Sequence, residues 1–192
     1  MNHSLAAACS AFALPLVVAS TSVAIADSLP MSMNSNITEQ QVLNAQEWWC
    51  GGLLAISKAY GKGGFAAAET IASKILDQAY GYQYGAVAFK PTLTQQPQTF
   101  RGTKAGALAY FVGGNPSYPN DKGFAIKPWQ KCLIRNQVIQ LHGDLAITMG
   151  NVDLTDSSGK VTTVDKTWAF IREPDGEVRI VLHHSSLPFS AK

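Results

Sequence analysis

The hydrophobic period of this chain changes once, near Phe124, and that change restricts the folds open to it. Upstream, Val42, Ala45, Trp49, Leu53, Ile56 and Tyr60 recur every three or four residues, the spacing of a helix with one buried face. Downstream, apolar and polar residues alternate between turn signals at His142-Gly143-Asp144, Asp156-Ser157-Ser158-Gly159 and Pro174-Asp175-Gly176. Alternation bounded by such turns marks antiparallel strands. Helices followed by a meander predict an α+β fold, in which three N-terminal helices cover one face of a curved antiparallel sheet and leave a central pocket.

Local signals place the elements. Thr38-Glu39-Gln40-Gln41 has the pattern of a capping box opening the first helix. That helix is expected to end at Gly61-Lys62-Gly63-Gly64, and a second to run from Phe65 to Ala79. Ala86 to Lys90 reads as a short strand stopped by Pro91. A third helix follows from Thr103 to Val112, closed by Gly113-Gly114. Strands are expected over 124–141, 145–155, 160–171 and 177–187.

All of this lies in one domain, residues 37–192. The first 26 residues hold no Lys, Arg, Asp or Glu and end Ala24-Ile25-Ala26. They read as a signal peptide cleaved near Ala26, followed by a flexible leader over 27–36. The expected location is periplasmic or secreted, with no stable membrane anchor once the signal is removed. In such a compartment Cys50 and Cys132 are disulfide candidates, although each also fits its element as a small buried hydrophobe.

Composition removes whole classes of function. With 15 Lys+Arg against 13 Asp+Glu the net charge is +2, and only 15% of residues are charged. No basic stripe exists to neutralise phosphates, so nucleic acid is not an expected partner. Neither the Gly51-Gly52 pair nor Gly113-Gly114 has the spacing of a phosphate loop, and the two Cys do not make a zinc site. No cofactor and no metal are implied.

Strand alternation orders the remaining polar residues. A four-residue loop over 156–159 sets Met149 opposite Lys166, and a turn centred on Asp175 sets Lys166 opposite His184. One face then carries the rows Leu145–Phe170–Ile180, Ile147–Trp168–Leu182 and Met149–Lys166–His184, with Asn151 beyond. Apolar rows grading into polar ones suit a ligand pocket lined by Met149, Asn151, Lys166, Trp168 and His184, with Arg101 as a further cation. Asp165, His183 and Ser185 fall on the opposite face. A one-residue slip exchanges His183 with His184 and Asp165 with Lys166, so Asp165, His183 and His184 are the acid–base candidates while the catalytic residues stay unassigned.

The segments AFKPTL, TFRGTKAGALAYFVGG, GDLAITMGNVDLTDSSGK, TVDKTWAF and DGEVRIVLHHSSLP resemble the association domain of calcium/calmodulin-dependent protein kinase II. That domain belongs to the nuclear transport factor 2-like superfamily, with SnoaL-like cyclases and ketosteroid isomerase. The resemblance implies a helix-covered, curved sheet around a pocket, self-association as a dimer or larger ring, and an unidentified small-molecule ligand. The pocket arginines of the kinase domain do not carry over, because Trp168 and Ser185 stand at those strand positions. Two functions follow as expectations. The first is an exported binding or oligomerising domain with no assigned chemistry, favoured because Asp165 lies outside the predicted pocket. The second is an isomerase, cyclase or hydrolase using His and Asp, including the phosphoribosyl-AMP cyclohydrolase label given to some relatives.

Overall fold

Helical and extended segments alternate only at first: α1 (Glu39–Ala79), β1 (Ala88–Lys90) and α2 (Lys104–Val112) precede β2 (Trp129–His142), β3 (Leu145–Asp156), β4 (Val161–Arg172) and β5 (Val178–Ser186). The computed structural model describes Met1 and residues 36–191. The expected signal peptide and leader therefore lie outside the described residues, save Met1 and Asn36. No described helix is long and apolar enough to cross a membrane.

The Thr38 cap forms as its sequence predicts. Gln41 N–H donates to the Thr38 hydroxyl, and the Thr38 N–H donates to the Gln41 side chain at 3.0 Å. The three expected helices become two elements, because 39–79 runs on as one. Gly64 bends it, with φ 67° and ψ −156°, a conformation open to glycine. The buried side of α1 carries Val42, Trp49, Leu53, Ile56, Ala68, Ala72 and Leu76.

The five strands are ordered β1-β5-β4-β3-β2, antiparallel throughout except that β1 lies parallel to β5. The helices pack on one face, where Val152, Leu154, Val164, Trp168, Phe170 and Ile180 meet them in the core. Two covalent and polar ties hold α1 to the sheet. A disulfide joins Cys50 to Cys132 of β2 across a Cα separation of 5.6 Å. Buried Gln46 bonds to Asn136 at 2.9 Å and to Thr148 at 3.2 Å.

The ladder departs from the expected register at two places. The turn after β3 is one residue shorter than expected: Asp156 N–H bonds to Lys160 O at 3.0 Å, leaving a three-residue loop whose Gly159 has φ 84°. A type I turn closed by a left-handed glycine has this form. Thr148 consequently faces Trp168 and Gly150 faces Lys166. The second hairpin begins in the expected register, with Phe170 opposite Ile180, and then slips. A bulge between Ala169 and Phe170 leaves Val181 as an extra residue, so Trp168 pairs with His183 and Lys166 with Ser185.

Those two shifts correct the pocket list. Met149 is 55% exposed on the outer face, and His184 is exposed as well. Asn151 is also turned outward, where its amide donates to Asp165 at 2.8 Å. His183 and Ser185, expected outside, are each 1% exposed on the inner face. Lys166 and Trp168 point inward, because the face of β4 is set by its own apolar side chains.

Candidate active site

The inner ends of β4 and β5 bring together polar groups that burial would ordinarily exclude. Lys166, His183 and Ser185 are all at most 3% exposed. Trp49 and Trp168 flank the lysine, with its Nζ 4.6 Å and 5.5 Å from their ring centres. Among the described residues no carboxylate reaches Lys166, and its nearest polar partner is His183 Nε2 at 2.6 Å. The other imidazole nitrogen, Nδ1, lies 2.8 Å from the Tyr80 hydroxyl, which takes a hydrogen bond from Trp49 Nε1 at 2.9 Å. Phe89 stacks on the imidazole at 4.5 Å.

Burial has a direct electrostatic effect here. Removal from water penalises an ammonium ion, and the Lys166 amine is pushed down to about 7. The two indole faces offset part of that penalty, so both protonation states are accessible near neutral pH. His183 is held well below the usual imidazole range, first by burial and then by the neighbouring lysine and His184. Tyr80 is raised, again mainly by burial, and remains a neutral phenol.

Beside this cluster is a narrow cleft whose walls meet so closely that they must part to admit even a water-sized molecule. Its hydroxyl groups come from Thr92, Tyr110 and Ser185, its charged and imidazole groups from Lys166 and His183. Pro91 ends β1 and sets Thr92 at the strand's edge, where the Thr92 and Ser185 hydroxyls bond directly to each other. Lys90 Nζ reaches Ser185 O at 3.5 Å. Hydroxyls that satisfy one another can exchange that bond for an oxyanion, and the cleft then offers several donors around one small ligand.

The other sequence candidates lie elsewhere. Arg101 is 2% exposed but committed to structure: its Nε and Nη2 bond Asp121 at 2.9 and 2.7 Å, and Nη1 donates to Gln98 O and Phe100 O. The guanidinium also lies 4.7 Å from the Tyr118 ring centre. It ties two loops together and does not line the cleft. Asp165 points to the outer face with Asn151, so the carboxylate–imidazole pair expected of an isomerase or hydrolase does not assemble. An amine–imidazole pair stands in its place. Thr92, Tyr110, Tyr80 and Trp49 were missed as site residues. The Pro91 strand stop is the local signal that could have singled out Thr92; Trp49 of α1 and Tyr80 at its C-terminal cap read as ordinary core positions.

Comparison with known proteins places the chain in a family. Residues 40–187 match the family described as metal-independent carbonic anhydrase. A metal-independent carbonic anhydrase of Nostoc sp. (strain PCC 7120 / SAG 25.82 / UTEX 2576) is 54% identical over 157 residues, covering 82% of this chain and 77% of that protein. The crystal structure of a cyanobacterial iota-carbonic anhydrase complexed with bicarbonate superposes with a TM-score of 0.82. It is 53% identical, over 83% of this chain and 97% of that one. A Xanthomonas campestris chain assigned to the calcium/calmodulin-dependent protein kinase II association domains has a TM-score of 0.53 at 19% identity, covering 83% and 94%. That last likeness is one of fold alone.

The expectation of a binding or oligomerising domain without chemistry is therefore overturned, as is that of an isomerase, cyclase or hydrolase. The resemblance to the association domain indicated the fold, whereas the relatives at 53–54% identity are carbonic anhydrases. On a match spanning residues 40–187 and 54% identity to a curated member, this chain belongs to the metal-independent carbonic anhydrase family.

Proposed function

We propose that this protein hydrates CO₂ to bicarbonate in the cleft between Thr92, Tyr110 and Ser185, with Lys166 accepting the proton. The observation that carries the reading is the buried Lys166–His183 pair on the wall of a hydroxyl-lined cleft. The reaction, CO₂ + H₂O → HCO₃⁻ + H⁺, needs a base for the water proton and donors for the oxygens that become anionic. An amine held near 7 is matched to that task, because it is unprotonated often enough to act and basic enough to be useful. The Thr92 and Ser185 hydroxyls, freed from one another, donate to the developing bicarbonate oxygens. The resulting ammonium rests between the Trp49 and Trp168 faces until it loses its proton to solvent buffer.

Among the described residues no three His, Cys, Asp or Glu side chains are grouped to hold a metal ion. The test is stopped-flow CO₂ hydration by the purified protein with a chelator present. Saturable catalysis is expected, falling about 100-fold in Ser185→Ala and in Thr92→Val and unchanged in the outward-facing His184→Ala. A wild-type rate equal to that of buffer alone refutes the proposal.

We assign the activity to an oxidising compartment. The Cys50–Cys132 disulfide supports that assignment, in keeping with the export signal read from the first 26 residues. N-terminal sequencing of the mature protein checks it: a start near Asp27 is expected, and an intact Met1 refutes it.

A further inference from the structure

We infer that Trp49 and Tyr80 are positioning residues, which fix the protonated nitrogen of His183 and thereby hold Lys166 as a hydrogen-bond acceptor. The inference rests on the reading of Lys166 as the proton acceptor in CO₂ hydration, and extends it to two residues of α1 and its C-terminal cap.

The argument is one of donor and acceptor direction. An indole N–H can only donate, so at 2.9 Å from Trp49 Nε1 the Tyr80 oxygen is the acceptor. Among the described residues the hydroxyl's one other hydrogen-bond partner is His183 Nδ1, at 2.8 Å. The phenol proton therefore points at Nδ1, which must be bare. A neutral imidazole then carries its proton on Nε2. That nitrogen is 2.6 Å from Lys166 Nζ, and its N–H can be received only by an amine with a free lone pair, a bond the amine gives up when it takes the proton of water. The reverse arrangement has an ammonium donating to Nε2 and an Nδ1–H aimed at Tyr80. It would leave the phenol proton without an acceptor in a buried site, an arrangement that folded proteins avoid.

The surroundings of Lys166 do not compete with this assignment. Besides Trp49 of α1, the C-terminal cap of that helix presents Tyr80 and α2 presents Tyr110, both kept neutral by raised pKa values. β1 contributes Lys90, bonded to Ser185 O, and β5 contributes His183, with His184 on the other face. The facing positions of β3, Thr148 and Gly150, carry no charge, and Asp165 of β4 points outward to Asn151. The direction of the hydrogen bonds, set at Trp49, thus determines which state of the amine the site favours.

The experiment uses the full chain with ¹⁵N-labelled histidine, together with the pH profile of CO₂ hydration. In the wild type the His183 ring is expected to be neutral and protonated on Nε2 at pH 8 and above, where the Lys166 amine carries a free lone pair. In Tyr80→Phe that preference is lost. Nε2 becomes free to accept from the ammonium, and the apparent pKa of hydration moves up by about one unit, the size of one hydrogen bond to a charged group. Trp49→Phe should move it the same way by less. A wild-type ring protonated on Nδ1 at pH 8 overturns the inference without any variant being made. So does a Tyr80→Phe profile that is lower at every pH but unmoved, the result expected of a purely structural role. Absence of hydration in the wild type, alongside an Nε2-protonated ring, refutes the proposed function alone and leaves the hydrogen-bond assignment supported.

Discussion

Replacing Lys166 with Met should change how the stability of the protein depends on pH. The amine has a folded value of about 7 against 10.5 for an ordinary lysine, with burial as the cause. Over that interval the unfolded chain binds a proton that the folded protein does not. Stability therefore rises with pH from about 7 toward 10.5, and falls away as pH drops through the folded value. Between pH 7 and pH 9 the wild type should gain about 2 kcal/mol from this one group. His183 adds a slope of the same sign at lower pH, because its folded value lies well below 6.5. The raised tyrosines oppose the trend only at higher pH, so pH 9 is a suitable upper limit.

Lys166→Met removes the lysine contribution and retains the side chain's bulk. Its cost is an unpaired His183 Nε2, about 1–3 kcal/mol. Urea denaturation at pH 6, 7, 8 and 9, with the disulfide intact and a common m value, measures the difference. The wild-type midpoint should rise steadily to pH 9, while the variant's should flatten above pH 7. Two curves rising in parallel between pH 7 and 9 would show that Lys166 is charged in the folded protein, and the acid–base assignment would fall with it.

Three other perturbations probe the framework. Deleting Val181 removes the extra residue while leaving the pairs Phe170–Ile180, Ala169–Leu182 and Trp168–His183 in place, so His183 should still point inward and CO₂ hydration should stay within about tenfold of the wild type; a loss of activity with strand content retained by circular dichroism would show that the register beyond the bulge is not the one described. In Gly150→Ala a Cβ would meet Arg135 O at 2.1 Å and Asn136 Cα at 2.9 Å. Backbone cannot step aside as a side chain can, so Tm should fall by about 5 °C or more, and an unchanged melt would refute the close strand approach. Asp121→Ala leaves the buried Arg101 guanidinium without its carboxylate and should cost about 3–5 kcal/mol in urea denaturation; a loss under 1 kcal/mol would mean that water reaches Arg101.

The sequence made the element order plain because each element announces itself locally: a capping box at Thr38, a Pro stop at Pro91, and glycine-bearing turns between the strands. The faces of β3 and β5 were harder. Alternation fixes relative facing along a strand, but the partner strand enters through the loop, and a three-residue loop at 157–159 is indistinguishable in composition from a four-residue one. A bulge such as that at Val181 carries no local mark, because one extra apolar residue breaks no pattern. Those two single-residue shifts moved Met149 and His184 out and His183 and Ser185 in. The link from Trp49 through Tyr80 to His183 was beyond any local reading. It joins the middle of α1, the residue that caps it, and the last strand, and every one of these reads singly as ordinary core.

The parallel pairing of β1 with β5 also bears on when the protein becomes competent. It sets Phe89 beside His183 and Lys90 beside His184, so the cleft needs a contact between segments more than ninety residues apart in the chain. Local helices and hairpins form first because closing a short loop costs least entropy, whereas such a long closure comes late. Helix and strand signals should thus recover before enzymatic turnover does on refolding. Until β5 docks against β1, a chain with nearly all its secondary structure still has Thr92 and Ser185 on separate, unjoined pieces. Competence is in this sense a property of the last closure, and simultaneous recovery of turnover and circular dichroism would contradict that order.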